Sequence, residues 1–238
     1  MAGLSDVLGE GGGLEAPGLG DAIGGGTNKE LMAEARMVLS GNWGMAVLGY
    51  FLYIALTMSF SVFVMGSTFF VAAVAGLNGG SVESAGNAIG QVSNIVQFLI
   101  AGALAVGFCS FFLGIAQDAE ARLERLFTGF CRFWKSFAVY FFYTLFICLW
   151  MLLLIIPGII ASFRYAMAFF IIADDEDCGP LEAIGRSKEM MAGNKWKFFC
   201  LHWRFLGWGI LCAILPIGFL WLVPYMQTSF AKFYEDVK

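Results

Sequence analysis

Four long stretches of the chain contain no charged residue, and this feature limits the possible folds most. They run from 44 to 76, 91 to 117, 136 to 163 and 205 to 231. Each is longer than the roughly 20 apolar residues that cross a bilayer as a helix. Because a backbone in lipid must satisfy its own hydrogen bonds, helices are the expected structure. The chain is therefore predicted to be an all-α integral membrane protein.

The overall composition agrees with this prediction. Hydrophobic residues make up 59% of the chain and charged residues 13%, whereas a soluble domain has about 25% charged residues. The net charge is -4 and the basic residues do not form a continuous run. A nucleic-acid partner, which would need a basic surface, is not expected.

Two of the four stretches are too long for one span, and each has a proline near its middle. Pro157 precedes Gly158, and Pro216 lies in the sequence ILPIGF. Since proline removes a helical hydrogen bond, each site is predicted to be a tight turn between two helices. The result is six spans near 44 to 74, 92 to 116, 137 to 156, 159 to 173, 198 to 215 and 218 to 233. The alternative is a kinked single helix at each proline, which gives four spans.

The connections between the spans differ in charge. Residues 77 to 90 contain no Lys or Arg, whereas 118 to 135 and 174 to 197 each contain four: Arg122, Arg125, Arg132, Lys135, Arg186, Lys188, Lys195 and Lys197. The positive-inside rule places the two basic connections in the cytoplasm. With six spans, both termini are cytoplasmic as well.

Residues 1 to 28 form a glycine-rich, acidic N-terminal tail without Lys or Arg. Such a composition does not bury enough apolar surface to fold alone. We expect contact with a neighbouring subunit or with the cytoplasmic face of the bundle to order it. Residues 29 to 238 are predicted to form a single membrane domain.

Three segments that precede spans share a pattern of an apolar residue, a small residue, Gly and then Trp. They lie at 39 to 43, 127 to 134 and 191 to 196. We interpret each as a cytoplasmic amphipathic helix at the interface, ended by Gly at its C-cap and followed by an anchoring indole. The hypothesis is three repeats of one such helix and a helical hairpin, at 29 to 118, 119 to 178 and 179 to 238, with anchors Trp43, Trp134 and Trp196. The competing explanation is that membrane proteins commonly place Gly and Trp at their interfaces.

The C-terminal half contains three long sequences that resemble a known family. They are IPGIIASFRYAMAFFIIADD (156 to 175), GPLEAIGRSKEMMAGNKWKFF (179 to 199) and VPYMQTSFAKFYEDV (223 to 237), and LFTGF and SGNW extend the likeness toward residue 40. The chain resembles the uncharacterised bacterial integral membrane proteins known as domain of unknown function 975. That family is similar to the membrane domains beside some glycerophosphodiester phosphodiesterases, but no catalytic domain is expected here. The resemblance implies a multi-pass protein of the bacterial plasma (inner) membrane and supplies no reaction.

Few ionisable residues fall within the predicted spans. All acids lie outside them, so an ion-coupled pump with an intramembrane carboxylate is not expected. His202 and Arg204 lie near enough to the inner interface to snorkel, whereas Arg164 lies near the middle of the fourth span. These three are the candidate contacts for a lipid or anion. For Arg164 the alternative is hydrogen bonding to carbonyls at a broken helix.

The sequence offers little for catalysis. His202 is the only histidine, so neither a histidine metal cluster nor a Ser-His-Asp arrangement can form. The acidic run from 174 to 177 could chelate a divalent cation, but such runs more often cap a turn before a helix. We therefore expect no enzyme activity, no cofactor and no metal.

Small residues recur at helical spacing in the second span, where they allow helix backbones to approach closely. They are Ala103, Gly107, Ser110 and Gly114. The sequence leaves open whether this contact lies within the bundle or between subunits.

Together these features favour a non-enzymatic membrane scaffold, a homo-oligomer whose interfacial helices organise the surrounding lipids by entering one leaflet. The first alternative is a small transporter or channel-like protein for a lipid or amphiphile, with Arg164 in the pathway. The second is an accessory subunit of a larger membrane complex.

Overall fold

The computed structural model of the chain describes residues 26–77, 82–117 and 122–238, and their side chains except at 82–86, 88 and 89. Within these ranges the chain forms helices and no strand, so the predicted all-α class is confirmed. The α-helices are α1 Asn28–Leu77, α2 Val82–Ala116, α3 Thr128–Cys131, α4 Phe133–Leu153, α5 Ile155–Tyr165, α6 Ala168–Asp174, α7 Pro180–Met190, α8 Lys195–Ile214 and α9 Phe219–Val237, with 3₁₀ segments at Leu123–Phe127 and Pro216–Gly218.

Four helical segments of the described chain are long and apolar enough to cross a membrane. They are α1, Gly90–Ala116 of α2, α4, and Ile155–Asp174, which comprises α5 and α6. Apolar helices of this length indicate membrane association. The first two are longer than predicted: α1 begins before residue 44, and α2 begins at Val82, so most of the predicted 77 to 90 connection is helical. Residues 78–81 of that connection lie outside the described residues.

Of the three glycines predicted to cap helices, one lies just beyond a helix end. Met191 is the C-cap of α7, and Gly193, two residues later, has a positive φ of 91°. Gly41 lies inside α1 and Gly129 inside α3, so the prediction was wrong there. A mid-helix glycine costs only about 1 kcal/mol relative to alanine. At Gly41, packing outweighs that cost because Leu39 and Ala46 on either side are fully buried.

Both predicted proline turns exist, but each break precedes its proline. Leu154 has an extended backbone (φ -164°, ψ 141°), and Pro157 is the third residue of α5. Leu215 breaks the chain after α8, and Pro216 opens the 3₁₀ segment before α9. Proline is tolerated in a first helical turn because its missing N–H would have no helical partner there. The prolines therefore start the second helix of each pair.

Ring contacts show that successive long helices run antiparallel. In α4 and its partner, Phe146 contacts Tyr165 (5.8 Å) and Tyr143 contacts Phe169 (4.9 Å). In α8 and α9, Phe205 lies 5.4 Å from Tyr225 and Phe198 lies 4.9 Å from Phe233. As the contact moves toward the start of one helix, it moves toward the end of the other. The same holds for α1 and α2, since Tyr53 lies 4.4 Å from Phe108 and Gly49 lies against Phe111. Three antiparallel pairs result: α1 with α2, α4 with α5 and α6, and α8 with α9.

Helix α2 is the centre of the bundle, because α1, α4, α6, α9 and the segment 123–131 all pack against it. Glycines make the closest of these contacts. Gly107 of α2 lies directly against the carbonyl of Leu126, and Gly129 of α3 lies directly against the carbonyl of Ala103. A Cβ atom at either glycine would overlap the facing backbone, so the two segments touch main chain to main chain.

The buried core lies toward one end of the bundle. All fully buried residues of α1 fall between Leu31 and Gly49, and they pack with the second half of α2, including Phe111 and Phe112. Beyond Gly49, α1 is lined with exposed apolar side chains, among them Phe63 and Phe69. The helix termini that meet at this buried end carry polar groups, and we therefore call it the polar end.

We expect Gly107→Ala to destabilise the bundle by about 1 to 3 kcal/mol, since the new methyl group would force α2 away from Leu126. Thermal unfolding in detergent measures the change. Gly41→Ala is the matched control: nothing lies within 4 Å of a Cβ at that position, and the substitution should stabilise α1 by up to about 1 kcal/mol. Equal unfolding temperatures for the two variants would contradict the close-packing account.

Candidate functional site

Three helices end at one point at the polar end of the bundle. Gln117, just after α2, donates from Nε2 to Oδ1 of Asp174 at the end of α6 (3.3 Å) and to Oε1 of Glu235 near the end of α9 (2.9 Å). The Tyr234 hydroxyl donates to Oδ2 of Asp174 (3.0 Å), and Lys238 Nζ donates to the same oxygen. We call these five residues the polar node.

Three residues of the node occupy similar positions in the three hypothetical repeats. Gln117, Asp174 and Glu235 each lie at or next to the last turn of the second helix of one repeat. Three similar helical pairs arranged around one axis would bring their equivalent ends together in this way. The repeat hypothesis stays a prediction, and the boundary near 118 lies outside the described residues.

The start of the described chain is bound next to the node. The Gly26 backbone N–H donates to Oδ1 of Asp236 (2.7 Å), and Lys197 Nζ donates to Oδ2 of the same carboxylate (2.6 Å). The Asn28 side chain donates to the Lys197 carbonyl (2.9 Å). The end of the glycine-rich tail is thus held by α8 and α9, while residues 1–25, on which the predicted tail contact mainly falls, lie outside the described structure.

A charged cavity of about 710 Å³ opens beside the node. Its lining consists of Ile171, Asp174, Asp175, Glu176, Asp177, Arg186, Glu189, Met190, Tyr234 and Lys238. Although acids predominate, Asp175 Oδ2 lies 2.8 Å from Arg186 Nη1, and Asp175 Oδ1 accepts from the backbone N–H groups of Asp177 and Cys178. The acidic run thus caps a turn, and in the described chain no three His, Cys, Asp or Glu residues are grouped to hold a metal ion.

These contacts keep three side chains of the cavity in their charged forms. The hydrogen bond from Arg186 lowers the pKa of Asp175 below its ordinary value, and the same bond raises the pKa of Arg186. The hydrogen bond to Asp174 raises the pKa of Lys238. Since each shift favours the charged form, all three groups stay ionised around neutral pH.

Arg164 lies in the last turn of α5, where its carbonyl accepts a hydrogen bond from the Ser187 hydroxyl of α7 (3.0 Å). Its Nε is buried and has no hydrogen-bond partner within the described part of the chain. The expected bond from the guanidinium to a carbonyl is therefore not made by this nitrogen.

His202 and Arg204 lie in different surroundings, although both are in α8. His202 stacks on Phe230 with 4.4 Å between ring centroids, and its ring also contacts Phe163 and Phe198. Arg204 is exposed, with Nη1 3.7 Å from the Met32 sulfur. His202 therefore packs among aromatic side chains and does not snorkel outward as expected, and no ion pair or hydrogen bond links Arg164, His202 and Arg204 in the described structure.

The small residues of α2 pack inside the bundle. Ala103, Gly107, Ser110 and Gly114 are all buried. Gly114 lies against the Arg125 guanidinium, next to the Gly107 contact with Leu126. Of the two possibilities left open by the sequence, the structure places this stripe within one subunit.

The predicted anchors differ from one another. Trp134 and Trp196 are 77% and 71% exposed, whereas Trp43 is half-buried beside the cluster around Leu39 and Phe112. Part of the apolar face of each amphipathic segment is covered: the segments bury Leu31 and Leu39, Leu126, and Ile184 and Met191. Other apolar residues of the same segments, such as Phe127 and Leu181, are exposed, so insertion into a leaflet stays a prediction.

A comparison with models of known protein families identifies the family of this chain. The model of the family described as "Protein of unknown function (DUF975)" matches residues 26–161 and 151–238. The chain belongs to this family. The resemblance found in the sequence is thereby confirmed, and the DUF975 match covers every helix described above. No curated protein and no solved structure matches the chain.

We expect Gln117→Ala to lower the free energy of unfolding by about 0.5 to 1.5 kcal/mol, because the carboxylates of Asp174 and Glu235 lose the amide that joins them. Urea or thermal unfolding in detergent measures the effect. Gln97→Ala, on the exposed surface of the same helix, is the control and should change stability by no more than about 0.5 kcal/mol. Equal effects of the two substitutions would show that the node does not hold the helix ends together.

Proposed function

We propose that this DUF975 protein is a non-enzymatic integral protein of the bacterial plasma membrane that associates with copies of itself and organises the surrounding lipids. In this proposal the three antiparallel pairs supply six spans, and the polar end faces the cytoplasm. The orientation is supported by basic residues near the polar end, including Arg132, Lys135, Arg186 and Lys197. Self-association is supported by the length and surface of the first pair.

Helix α1 is much longer than its counterparts. It has 50 residues, whereas α4 has 21 and α8 has 20, so the lengths are about 75, 31 and 30 Å. The part from Gly49 to Leu77 alone is about 44 Å long, against about 30 Å for the hydrocarbon core of a bilayer. Lipid tails aligned with the shorter pairs would not cover all of this apolar helix.

The surface of this part of α1 is suited to contact with another helix. Phe63, Phe69 and Phe70 are 72%, 78% and 67% exposed. Nothing lies within 4 Å of a Cβ built on Gly66, and an uncovered glycine permits close approach of a second backbone. Because all copies insert in the same orientation, the same stretch of α1 lies at the same height in each, as a symmetric contact requires.

We expect the native mass in mild detergent or nanodiscs to be a multiple of the subunit mass. Phe69→Ala with Phe70→Ala should weaken association by about tenfold or more, because aromatic residues dominate interface energies. Leu152→Ala with Leu153→Ala is the matched control, since this pair is similarly exposed at the end of α4 and should leave the mass unchanged. A strictly monomeric wild-type protein would refute the scaffold proposal.

A second candidate function is transport of a lipid or amphiphile, and the observation that favours it is the buried, unbonded Nε of Arg164. A guanidinium with an unbonded donor suits an anion, which it binds with a planar fork that lysine lacks. Arg164, however, lines neither the charged cavity beside the polar node nor the two apolar grooves, one between α5 and α8 and one between α1, α8 and α9. The scaffold therefore stays the leading proposal.

Flux of a fluorescent anionic phospholipid between the leaflets of proteoliposomes separates the two functions. For a scaffold, Arg164→Leu and Arg164→Lys should match wild type, with unfolding temperatures within a few degrees. For a transporter, both variants should lose most of the flux while Lys188→Leu, a change at an exposed residue of α7, retains it. Protein-dependent flux with that pattern would replace the scaffold proposal.

A further inference from the structure

A groove of about 300 Å³ lies between α1, α8 and α9, at the junction of the third helical pair with the first. Its lining is almost wholly apolar and includes three indoles, from Trp43, Trp208 and Trp221. The remaining lining residues are Met32, Arg36, Cys212, Gly218, Leu222 and Tyr225. Trp208 and Trp221 are more than half exposed, so the groove is open to the surroundings of the bundle, and a molecule could enter it laterally.

Two arginines lie at the Met32 and Tyr225 side of this groove: Arg36 is part of its lining, and Arg204 lies beside the lining residue Met32. Arg36 Nη2 donates to the Tyr225 hydroxyl (3.3 Å), and the guanidinium carbon lies 5.6 Å from the centre of the Tyr225 ring. Arg204 approaches from α8, with Nη1 3.7 Å from the Met32 sulfur. The Tyr225 hydroxyl in turn donates to the Met32 carbonyl (3.2 Å). Arg36 thus contacts Tyr225, Arg204 contacts Met32, and these two contacted residues are hydrogen-bonded to each other.

The groups that contact these arginines carry no negative charge. A phenol oxygen, an aromatic face and a thioether are all neutral, and neither arginine forms an ion pair within the described residues. Each guanidinium carries five N–H donors, so most of them are left for an outside acceptor. Next to lipid an unpaired arginine is costly, and a phosphate group satisfies it with short, charge-assisted, bidentate hydrogen bonds.

We infer that this groove binds an anionic glycerophospholipid, with the phosphate between Arg36 and Arg204 and an acyl chain along Trp43, Trp208 and Trp221. Two positive charges at one end select a lipid of net negative charge, and the indoles supply rigid apolar walls. The inference rests on the membrane location in the proposed function and does not depend on self-association.

A second groove of the bundle can be compared with this site. A second lateral groove, of about 440 Å³, lies between α5 and α8, at the junction of the second helical pair with the third. It is lined by Ile156, Ile159, Ile160, Phe163, Lys195, Trp196 and Phe199. This groove is also apolar, but its lining contains one lysine, whereas the first groove is lined by Arg36 and has Arg204 beside Met32. The second groove can therefore accept acyl chains without a bidentate phosphate contact.

The test is native mass spectrometry of the full chain, delipidated in detergent and titrated separately with phosphatidylglycerol, phosphatidylcholine and inorganic phosphate. We expect wild type to bind one phosphatidylglycerol per subunit, at least about tenfold more tightly than phosphatidylcholine. Arg204→Gln, and Arg36→Gln with Arg204→Gln, should each weaken phosphatidylglycerol binding about tenfold or more, a loss of about 1.4 kcal/mol. Lys195→Gln, in the second groove, should bind like wild type.

Several results would overturn the inference: no tight phosphatidylglycerol binding by wild type, equal affinity for phosphatidylcholine, equal effects of Arg204→Gln and Lys195→Gln, or displacement of the lipid by inorganic phosphate at similar concentration. Arg204→Gln is the decisive single variant, because within the described residues this side chain bonds only to a sulfur atom, and its loss should not unfold the bundle. The same spectra report the number of subunits. A monomer that binds phosphatidylglycerol would refute the scaffold alone, and an oligomer that does not would refute the lipid site alone.

Discussion

The architecture depends on one close contact, in which α2 and the segment 123–131 meet backbone to backbone at Gly107 and Gly129. In the membrane location that we propose, the hydrophobic effect does not drive helices together, so association relies on packing, and small residues permit the closest packing. This contact fixes α2 at the centre of the bundle, where α1, α4, α6 and α9 pack around it. The end of α2 is then positioned so that Gln117 reaches both Asp174 and Glu235.

The helices are closely joined at the polar end and are less closely packed elsewhere in the bundle. Helix ends and ion pairs close the region around Asp174 and Asp236, whereas away from it the helical pairs separate and expose apolar side chains. The two lateral grooves occur where one pair meets the next, at α5 with α8 and at α9 with α1. Since both grooves have a similar position in the bundle, the arginines in one of them account for the different ligand chemistry that we propose there.

Sequence reasoning identified residue types better than their surroundings. Arg204 was recognised as a candidate lipid contact, but Arg36 and Tyr225 were not, because they lie far apart in the sequence and meet only when α1 packs beside α9. His202 was grouped with Arg204 since both are polar and close in the chain. Residues two positions apart on a helix point in different directions, however, and therefore contact different neighbours. The amphipathic faces of the segments before the spans were recognised, but whether lipid or protein covers such a face depends on packing.

The sequence by itself determined the helical class, the family and the location of most helix breaks, because uncharged apolar runs and prolines act on the backbone locally, whatever the rest of the chain does. It did not determine that α1 continues through Gly41, since the small local cost of glycine was outweighed by the burial of Leu39 and Ala46. Only the tertiary structure decided which small residues touch, that three helix ends share one polar node, and that Arg36 and Arg204 come to the same side of one groove. These features join residues that are distant in the chain, and their energies exist only once the helices have packed.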